Sequence, residues 1–192
     1  MNKGEVRRNV LRDRRSLTAE QVKLLSARIQ DAVLALPEFL SARIIASYVA
    51  KSDEVQTSAV IQEAVLAGKR VLVPRTDAVS MRLRFCEIKS LDELQLGTFG
   101  VLEPPSTARS VPLHESQLVI VPVVAWDGRG QRLGYGKGFF DRELEHRGKA
   151  VCAGLAFEFQ RHDALPVTSS DVPLDIIVTE QRVLRFGGAS HN

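Results

Sequence analysis

The sequence predicts a three-layer α/β/α sandwich around a mostly parallel sheet, built as a single domain over residues 1–192. Three observations predict it. Short apolar runs rich in β-branched residues, such as LVIVP (118–122), read as strands buried on both faces. Segments of helical periodicity, such as TSAVIQEAVLAG (57–68), lie between them, so strand and helix alternate along the chain. No repeat, low-complexity stretch or long linker divides the chain, whose 192 residues suit one continuous core.

The elements follow in order. Residues 3–15 read as a basic helix with Val6, Val10 and Leu11 along one side. A second helix starts at LTAEQV: Thr18 is placed to cap the Gln21 amide, Gln21 to reach back, and Leu17 to staple onto Val22. Val22, Leu25, Ile29, Ala32 and Leu36 keep helical spacing until Pro37, which is expected to stop it. ARIIASYV (42–49) reads as a buried strand, 57–68 as a helix ending on Gly68, and RVLVP (70–74) as a second strand. MRLRFCEI (81–88) alternates outward arginines with inward apolar residues. SLDELQLGTFGVLEPP reads as a helical turn and loop closed by Pro104 and Pro105. After the strand 118–122 come a glycine loop and a helix, then AVCAGLAF (150–157) and LDIIVT (174–179), taken as the last strand. The tail 187–192 is expected to fray.

A composition of 44% hydrophobic and 26% charged residues excludes a disordered chain. No run reaches the length of a membrane span, and the basic N-terminus has no apolar segment behind it. The expected compartment is therefore the cytoplasm, with no membrane partner. Cys86 and Cys152 are too few and too far apart for a disulfide framework or a zinc site, and His114, His146, His162 and His191 have no ligand spacing. Net charge is only +3, yet Lys3, Arg7, Arg8, Arg12, Arg14 and Arg15 crowd the first fifteen residues. That cluster suits phosphate, nucleic acid or a solvated helix face.

In sheets of this kind ligands bind beyond the carboxyl ends of the strands. RLGYGKGFFDRELEHRG (132–148) follows one such strand and places Gly134, Gly136 and Gly138 on alternate positions around Lys137. It is not a P-loop, because Gly138 stands where Ser or Thr is required, and it lacks the dinucleotide fingerprint spacing. Exposed amides ahead of a helix, with Lys137 and Arg132 beside them, make an anion site. A plain tight turn explains one or two of the glycines, not three around a cation. Asp141, in the first helical turn, suits either the helix dipole or a magnesium ion held jointly with phosphate oxygens. Asp171 is the natural second ligand, or else closes a turn before Val172 and Pro173. Glu54, after the first strand, either caps the helix starting near Thr57 or accepts hydrogen bonds from a heterocycle N–H. Trp126, Phe139 and Phe140 surround the loop as core or as walls for a flat ligand.

The motifs KGEVR, DEVQT, VLVPR, GVLEP, VIVPVVAWDGRGQRLGYGKGFFDR, GLAFEFQ and LPVTSSDVPLDIIVTE, in that order, resemble the 5-formyltetrahydrofolate cyclo-ligases, also called 5,10-methenyltetrahydrofolate synthetases. The resemblance covers nearly the whole chain, and RLGYGKGFFDR is its most specific part. It implies a Rossmann-like fold and conversion of 5-formyltetrahydrofolate and ATP to 5,10-methenyltetrahydrofolate, ADP and phosphate. It implies an ATP site made by Lys3, Gly4, Glu5, Val6 and Arg7, assisted by Arg14. Arg132, Leu133, Gly134, Tyr135, Gly136, Lys137, Gly138, Phe139 and Phe140 complete that site, with Lys137 and Arg132 neutralising phosphate charge in catalysis. It assigns the folate to Val49, Glu54 and the stretch Tyr135, Gly136, Lys137, Gly138, Phe139. It assigns Mg²⁺ to Asp141 and Asp171. Lys137 stands where many members have glycine, Phe139 and Phe140 where tyrosine is frequent, Ser169 and Ser170 where a Glu-His pair is common, and Val123 where glycine is common.

The expected partners are therefore small molecules, not nucleic acid, and the expected state is a monomer. Two rival readings are an enzyme of related fold, such as a sugar-phosphate isomerase or a CoA-transferase-like protein, and a basic RNA-binding module. The first forms no ADP with any folate. The second binds RNA with steep salt dependence, but the sequence has no recognisable aromatic RNA platform.

Overall fold

The computed structural model describes residues 2–77 and 79–187, so the tail expected to fray lies, beyond Gly187, outside the described residues. Helix α1 (Lys3–Arg15) opens on a capping box between Asn2 and Glu5. Helix α2 (Ala19–Leu34) opens on the expected one between Thr18 and Gln21. These reciprocal bonds satisfy amides that the first helical turn would otherwise leave unpaired. Pro37 does not simply end α2. It starts α3 (Pro37–Ser41), where a missing N–H costs nothing.

Strand β1 (Ile44–Ser47), α4 (Ser58–Leu66) and β2 (Arg70–Asp77) form a parallel crossover. β3 (Arg82–Ile88) returns antiparallel on β2, with Leu83 and Phe85 inward and Arg82 and Arg84 outward, as the alternation predicts. The Asp77 carboxylate closes this hairpin by accepting the Val79 and Ser80 amides, which hold its pKa down at about 2. The segment read as turn and loop contains the turn, Leu91–Glu93, but then a small hairpin, β4 (Gln95–Leu96) with β5 (Leu102–Glu103).

β6 (Leu118–Pro122) lies where the apolar run places it. It is followed by β7 (Ala125–Asp127), β8 (Arg132–Leu133), α5 (Phe139–Leu144), β9 (Val151–Leu155), β10 (Arg161–His162), β11 (Ile176–Val178) and β12 (Val183–Arg185). β11 is therefore not the last strand: β12 folds back on it antiparallel.

Among the described residues the main sheet has seven strands in the order β12-β11-β9-β6-β1-β2-β3. Its five central strands are parallel and its two edges antiparallel. The chain leaves β1 toward β2 and returns on the other side as β6, so the sheet changes winding direction between β1 and β6. A crevice opens at the carboxyl ends of such strands. On one face, Ile29 and Val33 of α2 and Val60 and Ile61 of α4 pack on Ile45, Val71 and Ile120. Each such side chain contributes about 1.5–3 kcal/mol by leaving water. The other face is covered by connecting segments and one short helix, α5, whose Leu144 joins Leu72, Val119 and Trp126. A second small sheet, β10-β7-β8, carries α1, with Val6 and Val10 packed on Val124, Ala125 and Leu133. That packing sets the basic helix over the crevice.

Candidate active site

A cavity of about 560 Å³ occupies the crevice. Val49, Lys51 and Glu54 reach it from beyond β1, Pro74 and Thr76 from β2, and Pro122 from the end of β6. Across it run the whole loop 132–140 and Asp141, with Lys3, Arg7 and Asp171 on the remaining side. The structure thus gathers almost every sequence-predicted residue around one space. Gly4, Glu5, Val6 and Arg14 are the exceptions. Glu5 is spent on the capping box and Val6 on the core beneath α1, while a side chain at Gly4 would press on Asn2 Oδ1 at 3.2 Å.

The loop is shaped by its glycines. Gly136 (φ 97°) and Gly138 (φ 65°) adopt backbone that L side chains rarely take, and Gly138 sits directly before α5. A Cβ on Gly136 would meet Arg7 Cζ at 3.3 Å, so the bare backbone lets the arginine lie against it. Arg7 Nε donates to the Gly134 carbonyl at 2.8 Å, tying α1 to the loop. Lys137 Nζ lies 3.3 Å from the centre of the half-exposed Phe99 ring and, among the described residues, forms no ion pair. Its charge is free for a phosphate. Arg132 is buried, donates through Nη2 to Asp141 Oδ1 at 2.8 Å, and keeps a buried Nε without a hydrogen-bond partner. A buried guanidinium N–H left unpartnered costs free energy.

Asp171 Oδ2 accepts from Lys3 Nζ, from the Thr168 amide at 2.7 Å and from Thr168 Oγ1 at 3.1 Å. Burial opposes its ionisation, but these donors outweigh it and hold the carboxyl below its ordinary value. Asp141 Oδ1 also receives the Val172 amide at 3.3 Å, which brings the two aspartate segments together. Asp141 Oδ2 and Asp171 Oδ1 accept no hydrogen bond among the described residues. Two hard carboxylates lining one cavity are donors of the kind a magnesium ion takes beside phosphate and water. No group of three or more His, Cys, Asp or Glu side chains suited to a metal occurs among the described residues.

Glu54 does not cap α4. The capping position is Thr57, and the buried Glu54 carboxylate instead accepts the Lys51 amide at 2.7 Å and the Tyr135 hydroxyl at 2.5 Å. Burial and the Glu54 charge push the Tyr135 phenol well above its ordinary pKa, so it remains a donor throughout the physiological range. Arg14 stands behind this pair, nearly inaccessible at 2% exposure, bonding Asp53 Oδ2 at 2.9 Å and the Tyr135 hydroxyl. Its guanidinium lies 5.4 Å from the Tyr135 ring centre, and Lys51 Nζ lies 5.3 Å from it. Arg14 thus holds Tyr135 and is absent from the cavity lining, unlike Lys3 and Arg7.

Lys51, Phe99 and Arg142 also line the cavity and were not singled out in the sequence. Lys51 lies in the turn that follows the first strand. Phe99 lies between Gly97 and Gly100, and its own φ of 60° marks a strained tip. Its ring stands 6.1 Å from that of Phe139. Arg142 donates to the Lys137 carbonyl at 3.1 Å and to Met81 O at 2.8 Å, bracing the loop against the β2–β3 hairpin.

Residues 1–180 match the model of the 5-formyltetrahydrofolate cyclo-ligase family. The chain is 33% identical over 174 residues to the 5-formyltetrahydrofolate cyclo-ligase of Escherichia coli K12, covering 88% of this chain and 96% of that one. To its namesake from Haemophilus influenzae it is 33% identical over 179 residues, covering 91% and 96%. Among solved structures, the Aquifex aeolicus 5,10-methenyltetrahydrofolate synthetase superposes with a TM-score of 0.86 at 33% identity, covering 100% of this chain and 97% of that one. A 5,10-methenyltetrahydrofolate synthetase from Mycoplasma pneumoniae, at 22% identity and a TM-score of 0.76, shares the fold over 94% of this chain and 99% of its own.

Proposed function

The chain belongs to the 5-formyltetrahydrofolate cyclo-ligase family, and we propose that it uses ATP to convert 5-formyltetrahydrofolate to 5,10-methenyltetrahydrofolate, releasing ADP and phosphate. One observation carries the reading. The cation-bearing glycine loop and the buried Glu54 carboxylate face the same cavity, so a phosphate donor and a heterocycle can meet there.

The chemistry requires that meeting. A formamide oxygen is a poor leaving group, and phosphate is a good one. The N5-formyl oxygen attacks the γ-phosphorus of ATP, ADP departs, and the formyl carbon becomes an iminium-like centre carrying a phosphate ester. N10 then adds to that carbon, its proton is lost, and the C–O bond breaks to release phosphate and the conjugated methenyl ring. The protein's contribution is alignment and charge neutralisation rather than covalent catalysis.

Lys137 and Arg132 take the transferred phosphoryl oxygens. Lys3 and Arg7 flank the rest of the triphosphate. Asp141 and Asp171 would hold Mg²⁺, which supplies charge neutralisation at the phosphate oxygens. Glu54 accepts N–H groups of the pterin, whose face lies along the wall formed by Val49 and the Phe139 side of the loop. Lys3, paired with Asp171 here, would exchange that carboxylate for a phosphate oxygen, which would leave Asp171 to hold the ion. Mixing the protein with MgATP and 5-formyltetrahydrofolate tests the reading. A near-ultraviolet absorption of the methenyl product should grow only when both are present, and a flat trace with confirmed intact substrates would overturn it.

A further inference from the structure

Phe99, at the tip of the β4–β5 hairpin, has φ 60° and ψ 22°, left-handed backbone that a bulky side chain rarely takes. Burial does not explain the residue, because half of its side chain is exposed. What the conformation achieves is a contact. The Lys137 ammonium sits 3.3 Å from the centre of the Phe99 ring, and the Phe139 ring stands 6.1 Å from that of Phe99. Strain kept in the wall of a cavity points to a task there. The Lys137 backbone has its own brace, since Arg142 donates to its carbonyl at 3.1 Å and to Met81 O at 2.8 Å. The side chain has only the two rings: among the described residues no carboxylate pairs with it.

Resting on the function proposed above, we propose that Phe99 is a positioning residue for Lys137. Its ring holds the ammonium ready for the terminal phosphate of ATP, so the hairpin tip sets a preference for nucleoside triphosphate over diphosphate. A free lysine stem samples many rotamers, and ordering it on arrival of the phosphate would cost entropy. A carboxylate could order it too, but would neutralise the charge and compete with the phosphate, as Asp171 does at Lys3. An aromatic face attracts the cation through its quadrupole and brings no negative charge that must be displaced. Lys137 therefore keeps its full charge and its N–H donors for the phosphate oxygens.

The test is calorimetric binding of MgADP and of a non-hydrolysable magnesium–ATP analogue. Phe99→Leu keeps an apolar side chain in the same strained backbone but removes the aromatic face, whereas Phe99→Tyr retains that face. A cation on a ring face is worth about two- to thirtyfold in an equilibrium, so Phe99→Leu should weaken the ATP analogue about fivefold. Affinity for ADP should change less than twofold, and Phe99→Tyr should bind both nucleotides as the wild type does. In a Lys137→Met background, Phe99→Leu should alter neither affinity beyond twofold. Equal losses for both nucleotides, the same loss without the lysine, or failure of tyrosine to substitute would overturn the proposal. Wild-type protein that prefers the ATP analogue yet forms no methenyl product would overturn the folate reaction alone.

Discussion

The buried Arg14 is the least expected charge in the molecule, because α1 looked from its spacing like a helix with a solvated basic face. Its partners explain it: Asp53 balances the charge, and the Tyr135 hydroxyl accepts from Arg14 while donating to Glu54. Arg14 is therefore a positioning residue for Tyr135. Arg14→Met should raise the KM for folate several-fold and leave the KM for ATP alone, and the increment should disappear in a Tyr135→Phe background. Additive effects in that double-mutant cycle would return Arg14 to a purely structural role.

Glu54 can be tested at the same scale. Glu54→Gln turns part of a charged acceptor into a donor, at about 1.5–3 kcal/mol, so folate affinity should fall roughly ten- to more than a hundredfold with ATP affinity intact. Asp171 gives a prediction in pH. Its folded-state pKa is depressed, so its stabilising contribution is complete above the ordinary carboxyl value and is lost as pH falls through the folded one. The melting difference between wild type and Asp171→Asn should stay constant down to about pH 4 and vanish only in stronger acid. None of these partnerships could be read from sequence, since Lys3 and Asp171, or Arg14 and Tyr135, meet only after the chain has folded.

At the scale of elements, the capped helices and the apolar strands were legible because their signals are local. The Thr18 box, the run 118–122 and the alternation over 82–88 all stand where the residues place them. The misses share a cause. β7, β8 and β10 are two or three residues long, too short for any period, and exist because they pair with one another under α1. β12 is mixed in polarity because it is an edge strand with one exposed side, so it does not look like the buried β11 it pairs with. The glycine loop was legible as an anion site, but Arg7 lying against Gly136 was not. Gly136→Ala forces a side chain into strained backbone and onto Arg7, at about 1–2 kcal/mol. The melting temperature should fall by about 2–8 °C, and the KM for ATP should rise well beyond what that destabilisation explains. An alanine variant with an unchanged KM for ATP would mean that the Arg7 contact has no part in nucleotide binding.

At the scale of the whole molecule, alternating strands and helices implied the parallel sheet, yet not its order. Only the structure shows the winding reversing between β1 and β6, and that reversal places the turn after β1, the glycine loop and α1 around one cavity. The central claim is that this cavity lets ATP activate the formyl oxygen directly. Substrate carrying ¹⁸O in its formyl group tests it most directly, by mass analysis of the phosphate released during a single turnover. One labelled oxygen should appear in each phosphate formed, with one ADP for each methenyl ring. Unlabelled phosphate, with the isotope recovered in water, would contradict it.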